Sequence, residues 1–85
     1  MQWIPAGWKP KAVAVDIDGT ITDSNKAIHL GAIDSLRRLE EAGITVILST
    51  GNVRAVTYGL WRFLGVSGPM VCENGGVVWH PSWGE

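Results

Sequence analysis

Apolar residues in this chain occur as short uninterrupted runs, with longer amphipathic stretches between them. Residues 12–17 lack polar alternation and are rich in valine, which is typical of a strand buried on both faces of a parallel sheet. Residues 44–49 and Met70–Cys72 predict two further strands of the same kind. After a turn at residues 73–76, Val77–Trp79 predicts a returning or following strand.

The stretches between these runs carry apolar residues at helical spacing. They predict one helix from residue 31 or 32 to residue 42 and a second over residues 53–64. The expected buried positions are Ile33, Leu36 and Leu39 in the first helix and Val56, Leu60 and Leu64 in the second. Gly43 and Gly65 are placed to end the helices. Strands that alternate with helices predict an α/β fold, with a Rossmann-like parallel sheet, flanking helices and right-handed crossovers.

Each of the first three predicted strands is followed by a polar cluster. The clusters are Asp16 and Asp18 after the first strand, Ser49, Thr50 and Asn52 after the second, and Glu73 and Asn74 after the third. The carboxyl ends of parallel strands share one edge of a sheet, and ligands of open α/β sheets bind beside that edge. Packing alone does not explain three such clusters, so the sequence predicts the functional site there.

The spacing of Asp16 and Asp18 predicts metal-dependent phosphoryl chemistry. A carboxylate within an apolar strand is costly unless a partner or a metal compensates it, and residues two apart in an extended chain project to the same side. Both carboxylates can therefore converge on one Mg²⁺ ion and one phosphoryl group. One carboxylate then attacks phosphorus, while the other protonates the leaving oxygen and activates water. The alternative, that Asp16 caps a neighbouring helix, weighs less because Gly19 and Thr20 also follow.

Thr50, Gly51 and Asn52 predict a phosphate-binding loop. A hydroxyl followed by a glycine turn at the start of a helix offers one O–H donor and free backbone N–H groups to an anion. The same residue types also form ordinary helix N-caps, but their place after the strand next to the aspartate pair favours phosphate binding. Asn74 is first of all a turn residue, since Asn-Gly is a hairpin signal; contact with substrate or with the aspartate pair is the alternative.

Composition narrows the functional classes. Eighty-five residues allow at most one small domain. A net charge of −1, with scattered lysines and arginines, offers no electrostatic footprint for nucleic acid or an anionic membrane. No apolar run approaches a membrane span, and no signal peptide pattern precedes the first predicted strand, so we expect a cytoplasmic protein without nucleic-acid or membrane partners. The single cysteine, Cys72, is expected to be a buried core thiol.

The remaining basic and aromatic residues predict structural roles. His29 and His80 lack a spacing that suggests a metal site, and Arg54 and Arg62 are expected on a solvated helix face, with Arg54 close to the crevice. Five tryptophans are many for this length. The four near the chain ends are Trp3, Trp8, Trp79 and Trp83. We expect them to pack against one another or against a further segment rather than to stack on a ligand.

Three runs of the sequence resemble motifs of the haloacid dehalogenase-like phosphatases. DIDGTITD, at residues 16–23, resembles the family's first motif, DxDGTxxD, and VILSTGN, at residues 46–52, resembles the second. ENGG, at residues 73–76, resembles a mark of the subgroup with a large cap inserted after the third strand. The pairing of TGN with ENGG is most similar to archaeal-type phosphoglycolate phosphatases, and the resemblance covers residues 11–79.

The resemblance implies a Mg²⁺-dependent phosphomonoester hydrolase that works through an aspartyl-phosphate. Asp16 would be the nucleophile and a metal ligand. Asp18 would be the general acid and base, and its backbone carbonyl would also bind the metal. Thr50 would hold the transferred phosphoryl group, helped by the amides around Gly51 and Asn52. The implied substrate is a small phosphorylated metabolite, with 2-phosphoglycolate favoured.

The family also uses a lysine and a later acidic motif, and in the family's order both follow the cap. We therefore expect residues 12–79 to be a partial core of the family fold, preceded by a lead-in at residues 1–11 and followed by the start of a cap region at residues 80–85. The cap and the later core strands are expected to be absent, which leaves the first strand with an open apolar edge. Such a chain is expected to be inactive alone, with the remaining part as a separate chain, or a homo-oligomer, as its partner.

Three alternatives stay open at the level of sequence. They are a non-catalytic phosphate-binding or phospho-acceptor domain, a sugar-phosphate phosphatase of the same superfamily, and a degenerate fragment with no function by itself. The presence together of Asp16, Asp18, Thr50 and Gly51 favours the enzyme, because a binding domain need not keep both carboxylates.

Overall fold

The computed structural model describes residues 10–83 of the chain. Expectations for residues 1–9, including the packing of Trp3 and Trp8, and for residues 84–85 lie outside the described residues. Four strands form one sheet in this part of the chain: β1 (Ala12–Asp16), β2 (Thr45–Ser49), β3 (Met70–Cys72) and β4 (Val77–Trp79). Two α-helices connect the first three strands: α1 (Leu30–Glu41) and α2 (Arg54–Leu64).

The sheet has the order β1-β2-β3-β4, with three parallel strands and an antiparallel fourth. The α/β class with flanking helices is confirmed, while the sheet is mixed rather than wholly parallel. The reason is the length of the connection, because a parallel crossover needs about a dozen residues and only residues 73–76 separate β3 from β4. The register places Asp16 beside Ser49 and Ser49 beside Val71, so the carboxyl ends of β1, β2 and β3 lie at one edge.

Both helices begin within one or two residues of their predicted starts. α1 starts at Leu30 and ends one residue before its predicted end, and α2 starts at Arg54, with Val53 as its extended N-cap. Glycines follow them as expected: Gly65 has a φ of 74° and Gly43 a φ of 84°, a left-handed conformation that glycine adopts at little cost. No helix within residues 10–83 combines the length and the apolar character needed to cross a lipid bilayer.

The helices pack their apolar faces on the sheet and form the buried core with it. The core members are Ile17, Ile21, Leu36, Val46, Leu48, Leu64 and Val66. One predicted core position is wrong, since the Val56 side chain is 57% exposed, whereas Thr57 is only 1% exposed. At about 100° per residue, Val56 lies about 80° around the helix from Leu64 and Thr57 only about 20°. Four residues overshoot one turn, so a repeated four-residue spacing rotates out of the core.

β1 lies at the edge of the sheet, and its outer side pairs with no other strand within residues 10–83. Ala12, Ala14 and Asp16 are exposed, and Val13 and Val15 are half-buried. The expectation that this strand is buried on both faces is therefore wrong, because such burial needs cover on each face and a neighbour on each side. The strand instead presents the open apolar edge that we expected.

A glutamate joins three segments at the end of the sheet opposite the polar clusters. Oε2 of Glu40, in the last turn of α1, accepts hydrogen bonds from the backbone N–H groups of Val46 and Ser67, both at 2.8 Å. Its Oε1 accepts a third bond from the Ser67 hydroxyl at 2.7 Å. Charge-assisted hydrogen bonds are stronger than neutral ones, so Glu40 braces α1, β2 and the loop between α2 and β3 against one another.

The thiol, the histidines and the aromatic residues have structural roles, as expected. Cys72 is buried and unpaired, and His29 is exposed at the start of α1. His80 Nε2 lies 2.9 Å from the Ser67 carbonyl oxygen, and its Nδ1 accepts the Ser82 N–H at 3.0 Å. A continuous series of ring contacts links Trp79, Tyr58, Trp61, His80 and Trp83. The two described terminal tryptophans thus pack against one surface cluster through intervening rings.

We expect Glu40→Ala to lower the free energy of unfolding by roughly 2–4 kcal/mol, because the N–H groups of Val46 and Ser67 lose their charged acceptor. Urea unfolding followed by tryptophan fluorescence measures the change. Glu41→Ala is the matched control, since Glu41 is exposed at the next position of the same helix, and its loss should cost less than about 0.5 kcal/mol. Equal effects of the two substitutions would contradict the bracing role of Glu40.

Candidate active site

The two aspartates of the first polar cluster lie on either side of a core residue. Ile17 is 4% exposed and belongs to the core, while Asp16 and Asp18 are exposed. The backbone at Asp18 is still extended (φ −73°, ψ 119°), so the alternation of a strand turns both carboxylates away from the core. The cost of burying Asp16, which the sequence suggested, does not arise because β1 is an edge strand.

A tight turn after Asp18 redirects the chain. Gly19 has a φ of 82°, a conformation that strains residues with a side chain. Its N–H donates to Thr22 Oγ1 at 3.0 Å, and the Thr22 N–H donates to the Ile17 carbonyl at 3.2 Å. Ile21 then enters the core with 1% exposure. Buried isoleucines therefore anchor the turn on both sides and hold Asp18 at the sheet edge.

The aspartate that caps backbone groups in this region is Asp23 rather than Asp16. Asp23 Oδ1 accepts the N–H groups of Asn25 at 2.8 Å and Ala27 at 3.0 Å. Asp16 makes no side-chain cap bond to the turn that follows it, and its carboxylate has no hydrogen-bond partner among residues 10–83. The alternative of a structural cap is therefore wrong for Asp16. Sequence reasoning missed the role of Asp23, although an aspartate beside serine and asparagine is a known turn signal.

Thr50 joins the second cluster to the first. Its side chain is 4% exposed, and its Oγ1 donates to Asp18 Oδ2 at 3.2 Å. The same oxygen accepts the backbone N–H of Asn52 at 3.1 Å and the side-chain Nδ2–H at 3.3 Å. Because Asn52 occupies the lone pairs, the hydroxyl proton is left for Asp18. The N-cap of α2 is Val53, which makes no side-chain cap bond, so Thr50 is not an ordinary helix cap.

Gly51, Asn52 and Val53 form the loop that leads from Thr50 into α2. All three are exposed, and the helix begins where the Thr57 N–H donates to the Val53 carbonyl at 3.1 Å. The first N–H groups of an α-helix have no acceptor within the helix. Together with the helix dipole, they favour an anion at this end of α2.

The turn between β3 and β4, residues 73–76, closes over the loop before α2. The Glu73 N–H donates to the Asn52 carbonyl at 3.0 Å, and the Asn74 N–H donates to the Thr50 carbonyl at 3.2 Å. The structure thus brings the third polar cluster to the second. The Asn74 side chain lies against Gly51 rather than on the aspartates: a Cβ built on Gly51 would be 3.0 Å from Asn74 Oδ1.

Backbone strain marks the 73–76 turn. Glu73, Asn74 and Gly75 have consecutive positive φ angles of 52°, 54° and 92°. Glycine adopts this region freely and asparagine tolerates it, but for a glutamate it costs roughly 1–3 kcal/mol. Such strain persists only where the surroundings impose it. Here the surroundings include the two hydrogen bonds to the loop before α2.

The two arginines of α2 have different environments. Arg54 is half-buried, and its guanidinium lies over the Trp79 ring with Cζ 4.8 Å from the ring centroid. This cation–π contact makes the expectation of a solvated face wrong for Arg54. The contact holds the guanidinium over a residue of β4, and β4 lies three strand spacings, or roughly 14 Å, from β1. Arg62 is exposed, as expected, and its pKa is raised above the ordinary value because the guanidinium donates to the Tyr58 hydroxyl.

The donor atoms at the sheet edge suit a hard divalent cation. Asp16 and Asp18 offer carboxylate oxygens, and no group of three or more histidine, cysteine, aspartate or glutamate side chains in the described part of the chain could hold a metal. Mg²⁺ prefers oxygen ligands and is commonly bound by one or two carboxylates with waters and substrate phosphate. A pair of aspartates at an open edge is a donor set of this kind.

Residues 13–84 match the haloacid dehalogenase-like hydrolases. The chain belongs to this family. Within it, a phosphoglycolate phosphatase of Archaeoglobus fulgidus is 48% identical over 71 residues, which are 84% of this chain and 30% of that protein. A phosphoglycolate phosphatase of Thermoplasma acidophilum is 47% identical over 68 residues, which are 80% of this chain and 30% of that protein. This haloacid dehalogenase-like chain thus spans about 30% of the length of these curated relatives.

Solved structures share the fold described above, and one of them is a haloacid dehalogenase-like hydrolase by name. A Thermoplasma acidophilum crystal structure matches 86% of this chain and 32% of its own, with a TM-score of 0.81 and 42% identity. A haloacid dehalogenase-like hydrolase of Bacteroides thetaiotaomicron matches 91% of this chain and 30% of its own, with a TM-score of 0.78 and 30% identity. The expected family and the expected Rossmann-like partial core are therefore confirmed.

We expect the Thr50 hydroxyl to order Asn52, because Thr50 Oγ1 accepts both Asn52 N–H groups. Thr50→Val keeps the shape of the side chain but removes these bonds, so it should cost about 1–2 kcal/mol of unfolding free energy. The Asn52 amide should also exchange with solvent faster, as measured by NMR. Thr50→Ser keeps the hydroxyl and should preserve the slow exchange. Fast exchange in the serine variant as well would show that the methyl group, not the hydroxyl, orders the loop.

Proposed function

We propose that this chain carries the nucleophile and the phosphate-binding loop of a phosphomonoester hydrolase that works through an aspartyl-phosphate on Asp16. The observation that carries the proposal is the Thr50–Asp18 hydrogen bond of 3.2 Å, which joins the aspartate pair to the anion-binding loop at one sheet edge. Asp16 stands beside this pair with an exposed carboxylate. A nucleophile needs such access, and a structural carboxylate would be capped or paired.

Asp16 and Asp18 divide the chemistry between them in this proposal. A carboxylate oxygen of Asp16 attacks phosphorus, the bond from phosphorus to the ester oxygen breaks, and protonated Asp18 gives its proton to the leaving alkoxide. In the second step the Asp18 carboxylate takes a proton from water, and the resulting hydroxide oxygen attacks the phosphorus of the aspartyl-phosphate. The acyl-phosphate bond then breaks, which releases inorganic phosphate and restores the Asp16 carboxylate and protonated Asp18.

The loop before α2 binds the phosphoryl group in this proposal. Gly51 offers its backbone N–H next to the positive end of the helix dipole. The Thr50 hydroxyl and the Asn52 N–H would exchange their present bonds, to Asp18 and to Thr50, for bonds to phosphoryl oxygens. The geometry that supports this role is the rigid placement of the loop, since the 73–76 turn hydrogen-bonds to the carbonyls of Thr50 and Asn52. A loop that is held in place before the phosphoryl group arrives needs less reorganisation during the reaction than a mobile one.

A carboxylate oxygen of Asp16 and the backbone carbonyl oxygen of Asp18 would hold Mg²⁺, because this cation prefers oxygen ligands. The cation supplies positive charge that offsets the repulsion between the Asp16 carboxylate and the phosphoryl oxygens. A lysine is the other group that we expect to offset this charge. Among residues 10–83, the Asp18 carboxylate accepts a hydrogen bond from Thr50 and the Thr50 hydroxyl oxygen accepts its hydrogen bonds from Asn52, and none of these bonds comes from a lysine. We propose that residues other than those described here supply it, with further strands pairing along the open edge of β1.

2-Phosphoglycolate is the substrate that we propose, on the support of several relatives with 42–48% identity that are named phosphoglycolate phosphatase. The aspartates and the loop recognise the phosphoryl group that all phosphomonoesters share, so sugar phosphates are the competing substrates. Phosphate acceptance at Asp16 without turnover is the second candidate function. The observation that favours it is the exposed carboxylate of Asp16, since one accessible carboxylate is enough to accept a phosphoryl group.

We expect the isolated chain to hydrolyse p-nitrophenyl phosphate at or below the limit of detection in the presence of Mg²⁺. The reason is that the charge of the phosphoryl–aspartate pair is incompletely neutralised by the described residues. Release of p-nitrophenolate by the purified chain is the measurement. Robust turnover that Asp16→Asn abolishes would contradict this expectation and would show that these residues suffice for catalysis.

The proposed chemistry is tested by replacing the matching segment of the Archaeoglobus fulgidus phosphoglycolate phosphatase with this chain. We expect the chimera to hydrolyse 2-phosphoglycolate faster than sugar phosphates, to lose activity with EDTA and to regain it with Mg²⁺. Asp16→Asn should abolish turnover, and Asp18→Asn should lower kcat by about 10²–10⁴-fold.

Asp34→Asn is the control for these aspartate variants, because Asp34 is exposed on α1 and pairs with Arg38 at 2.9 Å. It should leave turnover unchanged. A chimera that folds and keeps its activity in the Asp16→Asn variant would exclude Asp16 as the nucleophile. Retained incorporation of phosphate from acetyl phosphate without turnover would instead support the phospho-acceptor function.

A further inference from the structure

The turn at residues 73–76 gives its first two backbone N–H groups to a different loop. An Asn-Gly hairpin turn ordinarily serves only to connect two strands. Here the Glu73 and Asn74 N–H groups bond the carbonyls of Asn52 and Thr50, at 3.0 and 3.2 Å. These carbonyls belong to the loop before α2, so the turn acts on that loop as well as on its own hairpin.

The side chain of Asn74 makes a second contact with the same loop. Its amide lies against Gly51, where an added Cβ would be 3.0 Å from Oδ1 and 3.5 Å from Cγ and Nδ2. A separation of 3.0 Å is tighter than most Cβ contacts, so a larger residue at position 51 would require the Asn74 amide to move by a few tenths of an ångström. Gly51 has no positive φ, so the space taken by Asn74, rather than the backbone conformation, favours a glycine here.

We propose that Asn74 is a positioning residue for the loop Thr50–Gly51–Asn52, and that its side-chain amide acts by packing on Gly51. Backbone bonds fix the carbonyls of Thr50 and Asn52, and the amide of Asn74 packs on the residue between them. The 73–76 turn therefore contacts all three residues of the loop. The assignment of phosphate as the ligand of this loop rests on the proposed function, whereas the positioning itself does not.

The residue types at the turn agree with this role. Asn74 sits at a φ of 54°, which asparagine tolerates better than most residues with a side chain. Glu73 is held at a φ of 52°, an unfavourable conformation that a free hairpin turn would relax. With these angles the turn donates both of its first N–H groups to the loop before α2.

A double-mutant cycle between residues 51 and 74 tests the proposal on the full 85-residue chain. Asn74→Gly removes the amide and keeps the positive φ accessible. Gly51→Ala adds the Cβ that would collide with the amide, and Gly51→Ala combined with Asn74→Gly makes room for it. Asn74→Asp keeps the shape and adds a negative charge. Asn25→Gly is the matched control, since Asn25 is exposed in the distant turn after β1.

Two measurements separate positioning from stability. The first is hydrogen exchange at the Asn52 amide by NMR, without ligand, compared with exchange at the core amides of β2. The second is the affinity for inorganic phosphate with Mg²⁺, followed by the shifts of the Gly51 and Asn52 amides. We expect Asn74→Gly and Gly51→Ala each to raise Asn52 exchange and to weaken phosphate binding by about tenfold, and Asn25→Gly to change neither.

The variant that combines Gly51→Ala with Asn74→Gly distinguishes paired effects of the two residues from independent ones. If the two residues act as a pair, Gly51→Ala with Asn74→Gly should be no weaker than either single variant, whereas independent effects would multiply to about a hundredfold. Asn74→Asp should keep Asn52 exchange slow while it weakens phosphate binding by charge repulsion, a separation that a purely structural residue would not show. Multiplied effects in the cycle, or unchanged Asn52 exchange in Asn74→Gly, would overturn the proposal.

The failure of the proposed function is distinguishable from the failure of this inference. If the unaltered chain binds no phosphate, the loop is not the anion site, but the exchange cycle between Gly51 and Asn74 still decides whether Asn74 positions it. If Gly51→Ala does not fold, the Asn74→Gly and Asn74→Asp pair decides by itself, because slow exchange in both variants would contradict the positioning role.

Discussion

The parallel pairing of β1 with β2 brings Asp16 level with Ser49, and the candidate site depends on this register. Side chains alternate along a strand, so a slip of one residue would turn Ile17 outward and both aspartates toward the core. The burial of Ile17 and Ile21 opposes such a slip. The position of the aspartates is therefore maintained by apolar packing on either side of the turn that follows β1.

The site combines exposed and buried polar residues in a way that suits its proposed chemistry. Asp16 and Asp18 are exposed, where a substrate can reach them, whereas Thr50 is almost fully buried and has all of its bonds within the protein. A buried hydroxyl must be satisfied, which gives Thr50 one orientation. Through Thr50 the strand that carries the aspartates is tied to the loop before α2, and through the 73–76 turn that loop is tied to β3 and β4.

Much of the fold could be predicted because its signals are local. The strand runs are continuous, the helices end at glycines, and the predicted boundaries are within one or two residues of those observed. Val56 was misplaced because a four-residue spacing was followed past the point where it leaves the buried face. The direction of β4 stayed open because a short apolar run fits either orientation, and the brevity of its connection decided it.

The sequence by itself determined the order of the elements and the meeting of three polar clusters at one sheet edge. It also identified Asp16, Asp18 and Thr50 as candidate site residues. These features could be predicted because periodicity and spacing are properties of neighbouring residues. Only the tertiary structure decided that residues on both faces of β1 are exposed or half-buried, that Arg54 lies on Trp79, and that Asn74 rests on Gly51. Each of these features depends on residues that are distant along the chain. Their contacts follow from how the sheet and helices pack, and no local pattern encodes them.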